Sequence, residues 1–220
     1  MCVTLSCVHT HSPRTPRTRQ ERKQRTRQAL LEAALRLLEN RSFDNLSLRE
    51  VAREAGVVPT AFYRHFESME ELGLVLIDES FRTLRQMLRS ARADSQLYED
   101  VIRGSVQVLV RHVHEHRTHF RFIARERSTG VAAMRRAIRN EIRLITSELA
   151  VDLSRFPYLD RWTTDDLQMA AGLFVNSMVS IVEEILDAPP DDPAAEAEII
   201  RTAERQLRLI ALGVTQWKSS

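Results

Sequence analysis

The sequence predicts an all-α protein, with an N-terminal three-helix head of helix-turn-helix type and a larger helical body behind it. Three observations predict this. Gly and Pro are scarce, 6 and 7 of 220 residues, which disfavours turn-rich β architectures. Apolar residues recur at the 3.6-residue period through most of the chain. Ser or Thr followed three residues later by an acid recurs where helices should start, as in Ser47–Glu50, Ser68–Glu71 and Thr163–Asp166. In that pattern side chains satisfy backbone N–H groups that the first turn leaves unpaired.

Three segments are expected: a leader (1–18), a helix-turn-helix head (19–67) and a larger helical body (68–220). Residues 1–18 mix Ser, Thr, Pro, His and Arg without periodicity and read as disordered. A helix begins near Arg19, with an arginine-rich first half and then an apolar stripe of Leu30, Leu31, Ala34, Leu37 and Leu38. Phe43 is expected to plug the core of the head.

The stretch 46–66 reads as two short helices. Ser47 and Glu50 form a capping box, with Leu46 and Val51 placed for a hydrophobic staple. Gly56 ends the first helix where a left-handed backbone is needed. Pro59 suits the first turn of the second helix, because the N–H it lacks would have no partner there. Pro59, Phe62 and Phe66 are expected to face inward together. Thr60, Ala61, Tyr63, Arg64 and His65 then lie on or beside the outer face, a surface suited to a groove edge and its phosphates. Helix-turn-helix units also occur in proteins that touch no DNA, so a helical scaffold for a protein partner is an alternative.

The run LSLREVAREAGVVPTAFYRHFESMEELGL resembles the N-terminal domain of the TetR family of bacterial repressors. Ala52, Gly56, Val57, Phe62, Tyr63, His65 and Phe66 stand where that family's signature has them. Within the family, SLREVAREAG, the V-P-T-x-F-Y-R-H-F run, ELGL and the later DES are similar to the FabR and DesT regulators of fatty-acid unsaturation. The resemblance implies a homodimer on a pseudo-palindromic DNA operator. Its DNA-contacting candidates are Ser47, Arg49, Val58, Pro59, Thr60, Ala61, Tyr63, Arg64 and His65. Many family members carry a phosphate-binding Lys where this chain has Met69, so that contact is not expected.

Charge agrees with a polyanion partner. Residues 1–36 carry eight Lys or Arg against Glu21 and Glu32, whereas the whole chain is only +2. A solvated tail would show the same bias. The only cysteines, Cys2 and Cys7, lie in the leader and form neither a disulfide framework nor a zinc pattern. No apolar run approaches the length of a membrane span, and no secretory signal is visible. A cytoplasmic protein without a membrane partner is expected. There is no phosphate-binding Gly-rich loop and no nucleophile elbow, so no enzyme activity, cofactor or metal is expected.

Beyond a connecting helix over 69–93, spacing and punctuation predict five helices, at 97–115, 117–127, 130–154, 163–187 and 193–216. The last two are apolar around most of their circumference, as expected of helices buried on more than one side. One head supplies only one half-site, so these helices are expected to dimerise through Phe174, Met178, Ile181, Ile185, Leu207, Ile210, Val214 and Trp217; a core helix of a monomer would look the same. In the resembling family they form a four-helix interface.

His112, His116 and His119, with His114 between them, would align on one continuous helix as zinc ligands or a pH sensor. A loop near His116 is expected to break the alignment, leaving a polar helix end. In the segment 120–128, arginines alternate with aromatics, and the FabR and DesT regulators have a similar F-x-x-x-x-R-E segment. By that resemblance the effector is a long-chain acyl-CoA. Its tail would lie against Phe81, Leu84, Leu88, Phe122, Ile123, Phe174 and Met178, and its phosphates against Arg121 and Arg125. The alternatives are ordinary core for the apolar residues, and an ion pair of Arg125 or Arg127 with an acid on a neighbouring helix. The function expected is therefore a ligand-responsive transcriptional regulator, by resemblance a repressor, of fatty-acid biosynthesis or desaturation genes. A repressor of an efflux or other metabolic operon, answering a different small hydrophobic ligand, is the alternative.

Overall fold

The computed structural model describes residues 18–39, 41–93, 98–189 and 192–219, so the leader call lies almost wholly outside the described residues. Every regular element described is helical: α1 (Arg19–Leu38), a short 3-10 turn (Phe43–Asn45), α2 (Leu48–Glu54), α3 (Pro59–Phe62), α4 (Met69–Ala93), α5 (Tyr98–Glu115), α6 (Arg117–Ser128), α7 (Ala132–Leu153), α8 (Thr164–Asp187) and α9 (Pro193–Gln216).

The caps explain where these helices start. Thr18 caps α1: its hydroxyl accepts from the Glu21 N–H at 3.1 Å, and the Glu21 carboxylate accepts from the Thr18 N–H at 2.9 Å. Ser47 and Glu50 make the same reciprocal pair at α2. Ser68 and Thr163 accept from Glu71 and Asp166 one turn on. Gly56, with φ +69°, ends α2 in the left-handed region.

Two expectations are corrected. Pro59 does not join Phe62 and Phe66 inside; it is exposed, while both phenylalanines are buried. Its place at the first position of α3 puts its ring on the rim of the turn. In addition, α8 is long and apolar enough to cross a membrane, with a mean hydropathy of 1.5. Asn176, Ser177 and Ser180 interrupt its apolar run, yet the average stays high. In the fold it is the central helix of the body, with Ala170, Ala171, Val175, Ile181 and Ile185 buried against its neighbours α7 and α9.

One continuous apolar core runs from the head into the body, from Leu30, Leu31 and Val51 through Phe62 and Leu72 to Val106, Ile138 and Ile181. Phe43 is the keystone. It does not plug the head alone: its ring lies 6.3 Å from that of Phe122 on α6. It also lies against Gly73 of α4, where a Cβ would meet Met134 Cε at 2.2 Å and Phe43 Cζ at 2.8 Å. The Phe43 N–H donates to Glu126 Oε1 at 3.1 Å, and Glu126 is only 1% exposed. Arg125 donates to the carbonyls of Leu38 and Arg41. The Arg125–Glu126 pair thus holds the segment after α1 onto α6.

Burial pushes the Glu126 carboxyl above its ordinary value, and nearby Asp44 adds to this; the Phe43 N–H and Arg125 oppose it. A raised value in the folded state means that this group's contribution is fully present below the ordinary carboxylate range. It is lost as pH rises through the raised value. Chemical denaturation across pH checks this: from the ordinary carboxylate range upward, wild type should lose stability relative to Glu126→Gln, which keeps an acceptor but has no proton to lose. Glu126→Ala should cost about 1–3 kcal/mol by leaving the Phe43 N–H unpaired.

Candidate nucleic-acid interface and ligand cavity

The first candidate site is the outer face of the head. Phe62 and Phe66 anchor α3 and the turn after it, their rings 5.5 Å apart. This turns Tyr63 outward, 65% exposed, with Val58, Pro59, Thr60 and Arg64 also exposed and Ala61 half-buried. On α2, Ser47 and Arg49 are exposed at the helix start. The arginine-rich half of α1 passes beside this surface. The Arg27 guanidinium lies 4.8 Å from the centre of the Phe66 ring, while Arg22, Lys23 and Arg25 are exposed. His65 is half-buried, and its Nδ1 lacks a hydrogen-bond partner among the described residues. Desolvation lowers its pKa, and the charges of Lys23, Arg27 and Arg64 lower it further. The imidazole is therefore neutral, in a cationic patch built by α1 and the turn after α3. No sequence pattern joins Lys23 to His65; only the crossing of α1 over the turn does.

The second candidate site is a cavity of about 560 Å³ in the body. Phe81, Leu84 and Leu88 of α4 form one wall, and Ile123, Phe174 and Met178 face it from α6 and α8. Wall residues that sequence did not single out include Ile102, Ser105 and Leu109 of α5, and Ile142, Ile145 and Leu149 of α7. Their only signal was the stripe that made those helices amphipathic, which does not separate a cavity lining from a filled core.

Three other candidates lie elsewhere. Phe122 is buried against Phe43, Arg125 is bound to the head's carbonyls, and Arg121 is half-buried off the lining. The arginines on the lining are Arg89, Arg127 and Arg155, each facing a carboxylate. Arg127 pairs with Glu183 of α8 at 2.5 Å, Arg155 with Asp152 at 3.3 Å, and Arg89 with Glu148. The ion-pair alternative thus describes Arg127, whereas Arg125 follows neither reading.

The expected dimer residues separate into two sets. Ile181, Ile185 and Leu207 are buried inside the chain itself, and Phe174 and Met178 face the cavity. Ile210 and Val214 are half-buried and Trp217 is exposed. The exposed apolar side chains on these helices are Met169 and Leu173 on α8, and Leu209 and Leu212 on α9. Met169 and Leu173 share the exposed face of α8 with Asn176, Ser180 and Glu184, so composition alone did not mark them off from the apolar residues that meet the core. The helices run antiparallel, as the Ser177–Gln206 and Trp217–Asp166 hydrogen bonds show. All four exposed residues therefore lie toward the same end of the pair.

The arrangement is that of a one-headed reader of DNA attached to a helical body with an internal apolar cavity. Residues 30–74 match the family model "Bacterial regulatory proteins, tetR family", and residues 98–213 match "Tetracyclin repressor-like, C-terminal domain". The chain belongs to the TetR family of transcriptional regulators, whose members bind operator DNA and dimerise.

Solved structures share the fold. The fatty acid degradation regulator FadR from Bacillus halodurans superposes with a TM-score of 0.68 at 14% identity, over 83% of this chain and 94% of that one. AibR, solved in complex with isovaleryl coenzyme A and operator DNA, gives 0.64 at 18% identity, over 83% and 97%. A TetR-family transcriptional regulator from Streptomyces coelicolor gives 0.67 at 18% identity, over 86% and 97%.

Proposed function

We propose that this protein is a homodimeric, ligand-responsive regulator, most simply a repressor, of fatty-acid genes, with a long-chain acyl-CoA as effector. The observation that carries the ligand class is the cavity itself: apolar walls from α4 to α8, and cations only at arginines. A flexible acyl chain fits such a lining; among proteins of similar fold, FadR is a fatty acid degradation regulator and AibR forms a complex with isovaleryl coenzyme A and operator DNA. The pairing of Arg89, Arg127 and Arg155 adds a condition: a thioester's phosphates must take these cations from Glu148, Glu183 or Asp152. The efflux alternative has less support, since aromatic cations favour acids and aromatic faces, and here each acid on the lining is paired with, or set beside, an arginine.

In this reading Thr60, Ala61, Tyr63 and Arg64 meet bases and phosphates, while Ser47, His65 and the basic half of α1 hold the backbone. The heads of a dimer enter successive major grooves about 34–36 Å apart, or a multiple of that spacing. The dimer forms through Met169, Leu173, Leu209 and Leu212 together with Trp217.

Gel shifts on an operator selected from random duplexes test the head. Tyr63→Ala and Arg64→Ala should each weaken binding by about 1–3 kcal/mol, roughly 5- to 150-fold; unchanged affinity in both removes this face as the reader. Palmitoyl-CoA and oleoyl-CoA, titrated into the protein–DNA complex, should shift its affinity, and no response to either at saturation removes the lipid effector. Ultracentrifugation should show Leu209→Glu as a monomer and wild type as a dimer. A dimer that survives Leu209→Glu and Leu212→Glu together must use another face.

A further inference from the structure

We infer that His112, Glu115 and His116 form a zinc-binding site at the joint between α5 and α6. The helix break expected near His116 does not scatter these two histidines, because the turn that carries them stays closed. α5 ends at Glu115, and His116 leaves helical geometry with φ −126° and ψ 34° before α6 starts. Its N–H still donates to the His112 carbonyl at 3.0 Å, so the last turn of α5 stays closed. The His112 and His116 rings consequently lie 4.4 Å apart between centres. One nitrogen of each ring and one Glu115 carboxylate oxygen all lie within 4.8 Å of one another.

Ligands around zinc, at roughly 2.0–2.2 Å from the ion, sit about 3.4 Å apart in a tetrahedral arrangement. Small rotations of Glu115 and His116, both on the accessible side of the joint, close the difference. His119, whose ring centre is 5.8 Å from that of His116, stands next in line on α6 for the fourth position, which water also fills in open zinc sites.

The second observation is independent of this spacing. His112 is 2% exposed, and its Nδ1 has no hydrogen-bond partner among the described residues. A buried polar atom without a partner calls for an explanation, and a bound ion beside the other two donors supplies one. Two imidazoles and one carboxylate are the donor set of zinc and its neighbours in the first transition row, not of calcium or magnesium. His114 takes no part, because its Nε2 lies 2.7 Å from Glu196 of α9. The site adjoins the cavity: the Phe120 ring stands edge-on to His112 at 5.5 Å and is also part of the cavity wall. Zinc would fix the angle at which α6 leaves α5, and with it that wall.

The test is a calorimetric titration of zinc chloride into full-length, metal-stripped protein, repeated with cobalt(II) under visible spectroscopy. One zinc per chain is expected, together with the visible bands of low-coordinate cobalt. His116→Ala should weaken binding by more than about 100-fold, the upper end of what loss of an outer-sphere partner costs. Glu115→Gln should weaken it by at least about tenfold, with both variants folded by circular dichroism. The leader supplies Cys2, Cys7, His9 and His11 as competing ligands, so a Cys2→Ser, Cys7→Ser chain is titrated beside wild type and should keep the site. The proposal is overturned if no stoichiometric zinc binds or if His116→Ala and Glu115→Gln bind as wild type does. It is equally overturned if the cysteine substitutions alone abolish binding.

Discussion

The Phe43 amide and the Glu126 carboxylate meet where the head joins the body, and the rest of the fold is arranged around that contact. Both are buried, and the two residues are 83 positions apart in the chain. The carboxylate is tolerated there because it accepts a backbone hydrogen bond and because Arg125 lies beside it. Space is kept for it by Gly130, where a Cβ would come within 2.3 Å of Glu126 Oε2. Space for the Phe43 ring is kept by Gly73, on the helix that leads to the cavity. Two small residues and one buried charge therefore set how α1, α4 and α6 come together.

That arrangement gives the proposed ligand a physical route to the head. α4 touches Phe43 near its start and lines the cavity with Phe81, Leu84 and Leu88 further on. It is tied to α7 by the Arg85–Glu141 and Arg89–Glu148 pairs. By linkage, a guest in the cavity would change operator affinity only through a difference in its affinity between placements of α4 and the head. The ion pairs at the lining bear directly on that difference, because a guest that draws Arg89 from Glu148 also loosens one of the ties between α4 and α7.

Much of the head was legible in the sequence because its signals are local. Capping at Ser47, the Gly56 turn and the Phe62–Phe66 pair each act within a few residues, and each stands in the structure where its chemistry places it. Helix positions in the body were legible for the same reason. What could not be read were choices between faces and between distant partners. On α8 the exposed row mixes Met169 and Leu173 with Asn176, Ser180 and Glu184, so its apolar part does not stand apart in sequence from the buried rows beside it. Arg125 and Arg127 are two residues apart in one segment, yet one reaches the carbonyls of Leu38 and Arg41 and the other reaches Glu183. Pro59 shares a helical face with Phe62 on paper, but α3 is a single turn and that face ends before the core begins.

The continuity of the core bears on how interchangeable the parts are. In a modular regulator, heads can be exchanged between bodies to move a ligand response onto a new operator. Here the head's own aromatic, Phe43, is covered by Phe122, Gly73 and Met134, and its backbone is finished by Glu126. A graft cut at the end of the helix-turn-helix would leave that aromatic and its amide open to water. A working chimera must carry α4 and the Arg125–Glu126 turn of α6 with the head, or meet the same aromatic, glycine and acid in its new host. Head and body are thus exchanged as one piece, and exchange is confined to bodies that already have this socket.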